Sequence, residues 1–200
     1  MKTSIKTLFA AVLSLGLGIT APSFASAKEN QKVTVLSQVK NFNKLNVAGN
    51  VEVILVQSAN QSVQVYDNYY ANNALVQEKN GELRISSFNK ETLTVVVYAS
   101  QLNEINVSDN ATVKTSGKFN TLSLAVNLKD EAKATLNTNT VDLSANVVDR
   151  AALNLTGNTS DYNATIGTIA AINMNNFTSE NSNIQSKNMG VAKQQVSNNQ

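Results

Sequence analysis

Cysteine, histidine and tryptophan are absent from the 200-residue chain, and there is a single proline. Without cysteine no disulfide framework exists, so an exported domain of this size is expected to be held by its core and its backbone pairing alone. The lack of histidine and cysteine removes imidazole acid–base chemistry, thiol nucleophiles, Ser-His-Asp triads and nearly every zinc site. Charge of one sign is equally scarce. Lys and Arg number 16 against 14 Asp and Glu, and setting aside Lys2 and Lys6, which fall in the leader described below, leaves 14 against 14. Such a balance argues against nucleic acid and against electrostatic membrane binding, both of which select a basic excess. After the leader no segment approaches the apolar length of a membrane span.

Residues 1–27 read as a secretory signal peptide. Lys2 and Lys6 form the basic region, Leu8 to Ile19 an apolar stretch too short to anchor stably, and Ala25-Ser26-Ala27 a small-residue cleavage site. No cysteine follows to carry a lipid anchor. The expected product is a single domain over 28–187 with a flexible tail at 188–200, located in the periplasm or at the cell surface.

What is present in excess is asparagine, the most frequent residue after the leader and absent from the leader itself. Asn suits turns, and its amides ladder when equivalent positions stack one strand spacing apart. The spacing of the sequence offers such positions. Val141-Asp-Leu-Ser-Ala-Asn-Val-Val-Asp-Arg-Ala-Ala-Leu-Asn-Leu155 matches the segments from Leu122, Leu102 and Tyr162. Asp109, Asp130, Asp149 and Thr168, taken as equivalent, follow one another at steps of about 20 residues. Leu45 to Val53 fits three such steps earlier, with Gly49 in the Asp place. A fixed period of this length marks a stacked array in which each unit buries its apolar face on its neighbours.

Within the units, apolar residues alternate on one parity before and after each Asp, which is the strand signal. A straight strand would point the Asp into the core, so the chain is expected to bend there. Polar turns are expected at Thr115–Lys118, Asn137–Thr140 and Thr156–Ser160. Asn80-Gly81 predicts a type I′ hairpin, and the run Val95-Val-Val97 a strand covered on both faces. Whether Gln61 to Tyr98 continues the stack or forms a small antiparallel cap is left open by the pattern. No 3.6-residue period is present, so the chain is expected to be all-β.

The segments Phe42-Asn-Lys-Leu-Asn-Val-Ala-Gly-Asn-Val-Glu-Val-Ile-Leu55, Gly81-Glu-Leu-Arg-Ile85, Val95 to Val107 and the units after them resemble the putative auto-transporter adhesin, head GIN domain family of exported bacterial proteins. The resemblance covers roughly Phe42 to Met174. It implies an all-β, right-handed β-helix-like solenoid of short stacked strands, and no established activity or catalytic residues. The family's corner usually reads Gly-Ser-Gly or similar, where this chain has Asp109, Asp130 and Asp149.

Two groups of residues are candidates for a site. If stacked, Asp109, Asp130 and Asp149 would form a carboxylate line suited to Ca²⁺, as in a Ca²⁺-dependent polysaccharide-binding or lyase-like protein. The structural alternative is that each Asp bonds backbone N–H groups at its turn, with Lys129, Lys133 and Arg150 near enough to balance the charge. Tyr66, Tyr69 and Tyr70 would offer an aromatic contact platform, or would shield the end of the stack. The favoured expectation is a non-enzymatic, adhesin-like structural or binding module of the bacterial envelope without a cofactor. Its partner would be a glycan or a protein, and self-association through a sheet edge would be open to it.

Overall fold

The computed structural model describes residues 33–36, 38–39, 41–66 and 74–187. The leader, the C-terminal tail, Tyr69 and Tyr70 lie outside them. Every element is a strand: β1 (Val33–Leu36), β2 (Lys44–Gly49), β3 (Val51–Gln57), β4 (Ser62–Tyr66), β5 (Ala74–Lys79), β6 (Glu82–Ser87), β7 (Leu93–Ala99), β8 (Glu104–Val107), β9 (Thr112–Thr115), β10 (Phe119–Asn120), β11 (Ser123–Leu128), β12 (Lys133–Val147), β13 (Ala152–Gly167) and β14 (Ala171–Lys187). They form one mixed sheet whose main path, β1-β4-β7-β3-β9-β12-β11-β8-β2-β6-β5, takes in eleven strands and curls into a half-barrel.

The curl follows from how single strands are shared. The start of β12 pairs with β9 through Lys133, Ala134 and Thr135, and its end pairs with β11 from Asp142 to Val147. The sheet therefore has two arms. β6, β2, β8, β11 and the later halves of β12, β13 and β14 make the first, and β7, β3, β9 and the earlier halves of β12, β13 and β14 make the second. We call a first-arm strand and its second-arm continuation a rung. Alternation turns Leu45, Val47, Ile105, Val107, Val126 and Leu128 inward from the first arm, against Val53, Leu55, Val113, Ala134 and Leu136 from the second, and all are buried. Each fully buried Leu, Ile or Val contributes about 1.5–3 kcal/mol, and no disulfide is present to assist.

The register follows the spacing of the sequence. Asn46 pairs with Asn106, Asn106 with Asn127 and Asn127 with Asn146, the same intervals that separate Gly49, Asp109, Asp130 and Asp149. The segment left open by the pattern does both things. β6 and β7 lie parallel to β2 and β3 as a further rung on their outer side. β5, β4 and β1 then add antiparallel strands to that end. Asn80 (φ 55°) and Gly81 (φ 78°) make the β5–β6 turn with the two positive φ values type I′ requires. Val95, Val96 and Val97 are all buried, as their continuous apolar run predicts.

One expectation is corrected. Asn137–Thr140 and Thr156–Ser160 are not turns between strands but lie inside β12 and β13, paired in register from Asn137↔Thr156 to Thr140↔Thr159. Thr140 and Thr159 satisfy one another here: the Thr140 hydroxyl donates to Thr159 Oγ1 at 2.8 Å, and Thr159 Oγ1 lies 2.9 Å from the Val141 carbonyl it donates to, whereas the buried Thr138 hydroxyl has no partner among the described residues. The chain bends without leaving the ladder.

Candidate ligand-binding surface

At each corner a four-residue turn closes on itself. The N–H of Ala111 donates to Ser108 O, that of Ala132 to Lys129 O and that of Ala151 to Val148 O, each at 3.2 Å. The first central residue of each turn is the Asp, with φ of 58° at Asp109, 60° at Asp130 and 56° at Asp149. This left-handed region is costly for most side chains, and after Gly it is Asn and Asp that tolerate it best. The carboxylates compensate by stitching rungs together. Asp109 Oδ2 accepts the Gly49 N–H at 2.9 Å, Asp130 Oδ2 that of Asp109 at 3.2 Å, and Asp149 Oδ2 that of Asp130 at 3.1 Å. The three candidate ligands are thus brought into one column, each directed at a backbone donor. Lys129 Nζ stands 3.9 Å from Asp130 at the exposed surface, while Arg150 turns instead to Glu131. Among the described residues no group of three or more acidic side chains has the arrangement of a metal site.

Tyr66 closes β4 at the antiparallel end, half-buried, with its hydroxyl 3.1 Å from Gln64 Oε1. On the neighbouring β7 stands Tyr98, whose ionisation is opposed first by burial and then by Tyr66. Tyr98 was not singled out in the sequence, and no fixed spacing links the two.

The outer surface of the first arm is a grid set by strand alternation. One column reads Arg84, Asn46, Asn106, Asn127, Asn146, Thr165 and Gln185, and the next Glu82, Lys44, Glu104, Ala125, Ser144, Asn163 and Asn183. Amides ladder along the first: Asn127 Nδ2 donates to Asn106 Oδ1 at 2.8 Å, Asn106 Nδ2 to Glu104 Oε1 at 3.0 Å and Asn46 Nδ2 to Glu82 Oε1 at 3.0 Å. Charges gather at the β6 end and are paired, Lys44 to Glu104 at 2.9 Å and Arg84 to Glu82 at 2.7 Å. Those hydrogen bonds hold both carboxyls below the usual glutamate range, Glu82 through Arg84 first and Glu104 through Lys44 first. From β11 onward both columns are uncharged. Two shallow depressions of about 340 Å³ each open on this face; they share Asn127 and Asn146, one extending to Asn46 and Lys129, the other to Asn163 and Gln185.

The family model described as "Putative auto-transporter adhesin, head GIN domain" matches residues 41–199. This chain belongs to that family. Its fold is similar to that of a putative adhesin from Parabacteroides distasonis (TM-score 0.62, 14% identity, 78% of each chain covered). A putative lipid binding protein from the same organism (0.58, 12%, 79% of each chain) and a putative adhesin from Parabacteroides merdae (0.56, 15%, 79% of this chain and 78% of that one) are also similar in fold. No curated protein matches the chain.

In this head GIN domain the surface residues that sequence reasoning did not single out are the amides of the first arm. The signal was there to be used: Asn46, Asn106, Asn127 and Asn146 each stand three positions before the corner residue, Gly49, Asp109, Asp130 or Asp149. No helix among the described residues is long and apolar enough to cross a membrane.

Proposed function

We propose that this head GIN domain is a non-catalytic, adhesin-like binding module, exported by the signal peptide of residues 1–27 to the periplasm or cell surface. Its rungs wind as a right-handed β-helix-like solenoid, and it meets its partner through the outer face of the first arm. One observation carries the reading: that face holds a continuous row of amides and hydroxyls, half-buried at Asn46, Asn106, Asn127 and Thr165 and exposed at Asn146 and Gln185, which the core does not need. Family membership and the adhesin-like neighbours point the same way. One neighbour in fold is described as lipid binding; the depressions on this face mix apolar surface from Val107, Leu128 and Val148 with the amides of Asn127, Asn146, Asn163 and Gln185, and it is those amides that suit a polar partner. The Asp column is occupied with backbone donors, and this favours a structural role for it over Ca²⁺ binding.

The test is saturable binding of labelled protein, residues 28–200, to isolated envelope fractions, alongside the variants Asn146→Arg and, on the second arm, Asn154→Arg. Saturable binding lost only in Asn146→Arg supports the assignment. Absence of saturable binding to every fraction, or equal loss in both variants, overturns it.

A further inference from the structure

We infer that the amide face of the first arm takes an uncharged, extended polysaccharide laid across the rungs; this deepens, and rests on, the assignment of that face as the contact surface. Length comes first. Asn46, Asn106, Asn127, Asn146, Thr165 and Gln185 stand on six successive strands. At about 4.8 Å per strand their row is about 24 Å long, and its repeat is close to the length of one sugar in an extended β-linked chain. The two depressions meet at Asn127 and Asn146, so the trough crosses the rungs rather than following a strand. Its floor is low where the small side chain of Ser144 lines it.

Chemistry selects the class of ligand. An amide offers two donors and an acceptor, and among the described residues the side chains of Asn146, Asn163, Asn183 and Gln185 make no hydrogen bond within the protein. A sugar hydroxyl, donor and acceptor at once, complements them; an acyl chain would strand them without partners. Electrostatics then separates neutral from acidic polysaccharides. Along the trough's flank Asp142 pairs in register with Asp161, and Asn181 Nδ2 donates to Asp161 Oδ1 at 2.9 Å. Neither aspartate has an ion pair among the described residues, so on that flank a uronate or sulfated chain meets like charge, while Lys129, the lysine that lines the trough, stands 3.9 Å from Asp130 at its corner end. No aromatic ring lines the trough. Each sugar is therefore held by hydrogen bonds alone, and affinity accumulates with chain length.

The experiment is calorimetric titration of residues 28–200 with glucose, cellohexaose, laminarihexaose, xylohexaose, mannohexaose and hexagalacturonate. Binding of at least one neutral hexaose is expected, with no heat from glucose or hexagalacturonate. Losing two hydrogen-bonding amides in Asn127→Ala/Asn146→Ala should weaken it about ten-fold. Because Asn127 also belongs to the ladder, Asn163→Arg serves as the second variant; it obstructs the trough without removing an internal hydrogen bond and is expected to abolish binding at unchanged melting temperature. Silence from all four neutral hexaoses, preference for hexagalacturonate, or full binding by a folded Asn163→Arg overturns the proposal. Periodate treatment of the envelope fraction, which destroys vicinal diols, separates it from the broader assignment. If Asn146-dependent binding survives periodate, the face still contacts a partner and the polysaccharide is ruled out.

Discussion

Replacing Asp130 separates a turn-forming carboxylate from a metal ligand, because the two roles order the substitutions differently. Asp130 sits at φ 60° and accepts the Asp109 N–H at 3.2 Å, while its own N–H goes to Asp149. Alanine adds a left-handed strain of about 1–2 kcal/mol. It also removes one hydrogen bond, a further loss of about 1 kcal/mol, so Asp130→Ala is expected to cost about 2–3 kcal/mol. Glycine relieves the φ but still lacks the acceptor, giving about 1 kcal/mol. Asparagine keeps both the tolerance of positive φ and an acceptor oxygen, and should cost less than about 1 kcal/mol. The Lys129 contact, exposed and 3.9 Å long, adds little. Urea unfolding of the three variants, with Ca²⁺ and with chelator, reads the order Asn, Gly, Ala directly. Equal damage from Asn and Ala, or stability that rises with Ca²⁺ in the wild type alone, would refute the corner argument.

Tyr162 is buried with its hydroxyl unpartnered among the described residues, and its ring meets Phe177 edge-on at 5.5 Å. Tyr162→Phe should therefore be neutral or stabilising by up to about 1 kcal/mol in urea. Burial pushes the phenol up to about 12. The unfolded value is near 10, so the phenol leaves folding stability unaffected by pH below about pH 10 and opposes folding increasingly as pH rises toward 12, where the unfolded chain ionises first; an alkaline urea series in which wild type and Tyr162→Phe fall in parallel would contradict this. Gly157 has φ +100° and an added Cβ would lie 2.0 Å from Thr138 O, whereas Gly117 has φ +84° and open space. Gly157→Ala is accordingly expected to cost more than about 3 kcal/mol or to prevent folding, and Gly117→Ala about 1 kcal/mol. Similar melting temperatures for the two would show that backbone contact is not what fixes Gly157.

The strands and their register were legible because inward residues such as Val126 and Leu128 recur at the offsets that stacking requires. The corners were legible because an Asp on the apolar parity had to be turned out of the core. Three features were not. The rung of β6 and β7 lies outside that of β2 and β3, yet Leu83-Arg-Ile85 alternates just as Leu45-Asn-Val47 does, and a pattern local to one strand carries no information about layer order. The bend within β12 and β13 keeps its backbone bonds, because Thr140 and Thr159 satisfy each other across rungs, a pairing invisible to rules that treat Asn-Thr tracts as turns. An Asn ladder was legible from the excess of Asn at stacked positions, but its place on the first arm was not, because each Asn looks like an ordinary strand residue until Asn46, Asn106, Asn127 and Asn146 fall in line.

Which surface meets the partner is answered most directly by a residue-resolved NMR titration of the mature protein with soluble envelope polysaccharide. Shifts are expected in the side-chain amides of Asn106, Asn127, Asn146 and Asn163. Shifts confined to the Tyr66 and Tyr98 end, or to the Asp109, Asp130 and Asp149 corner, would contradict the assignment of the first arm.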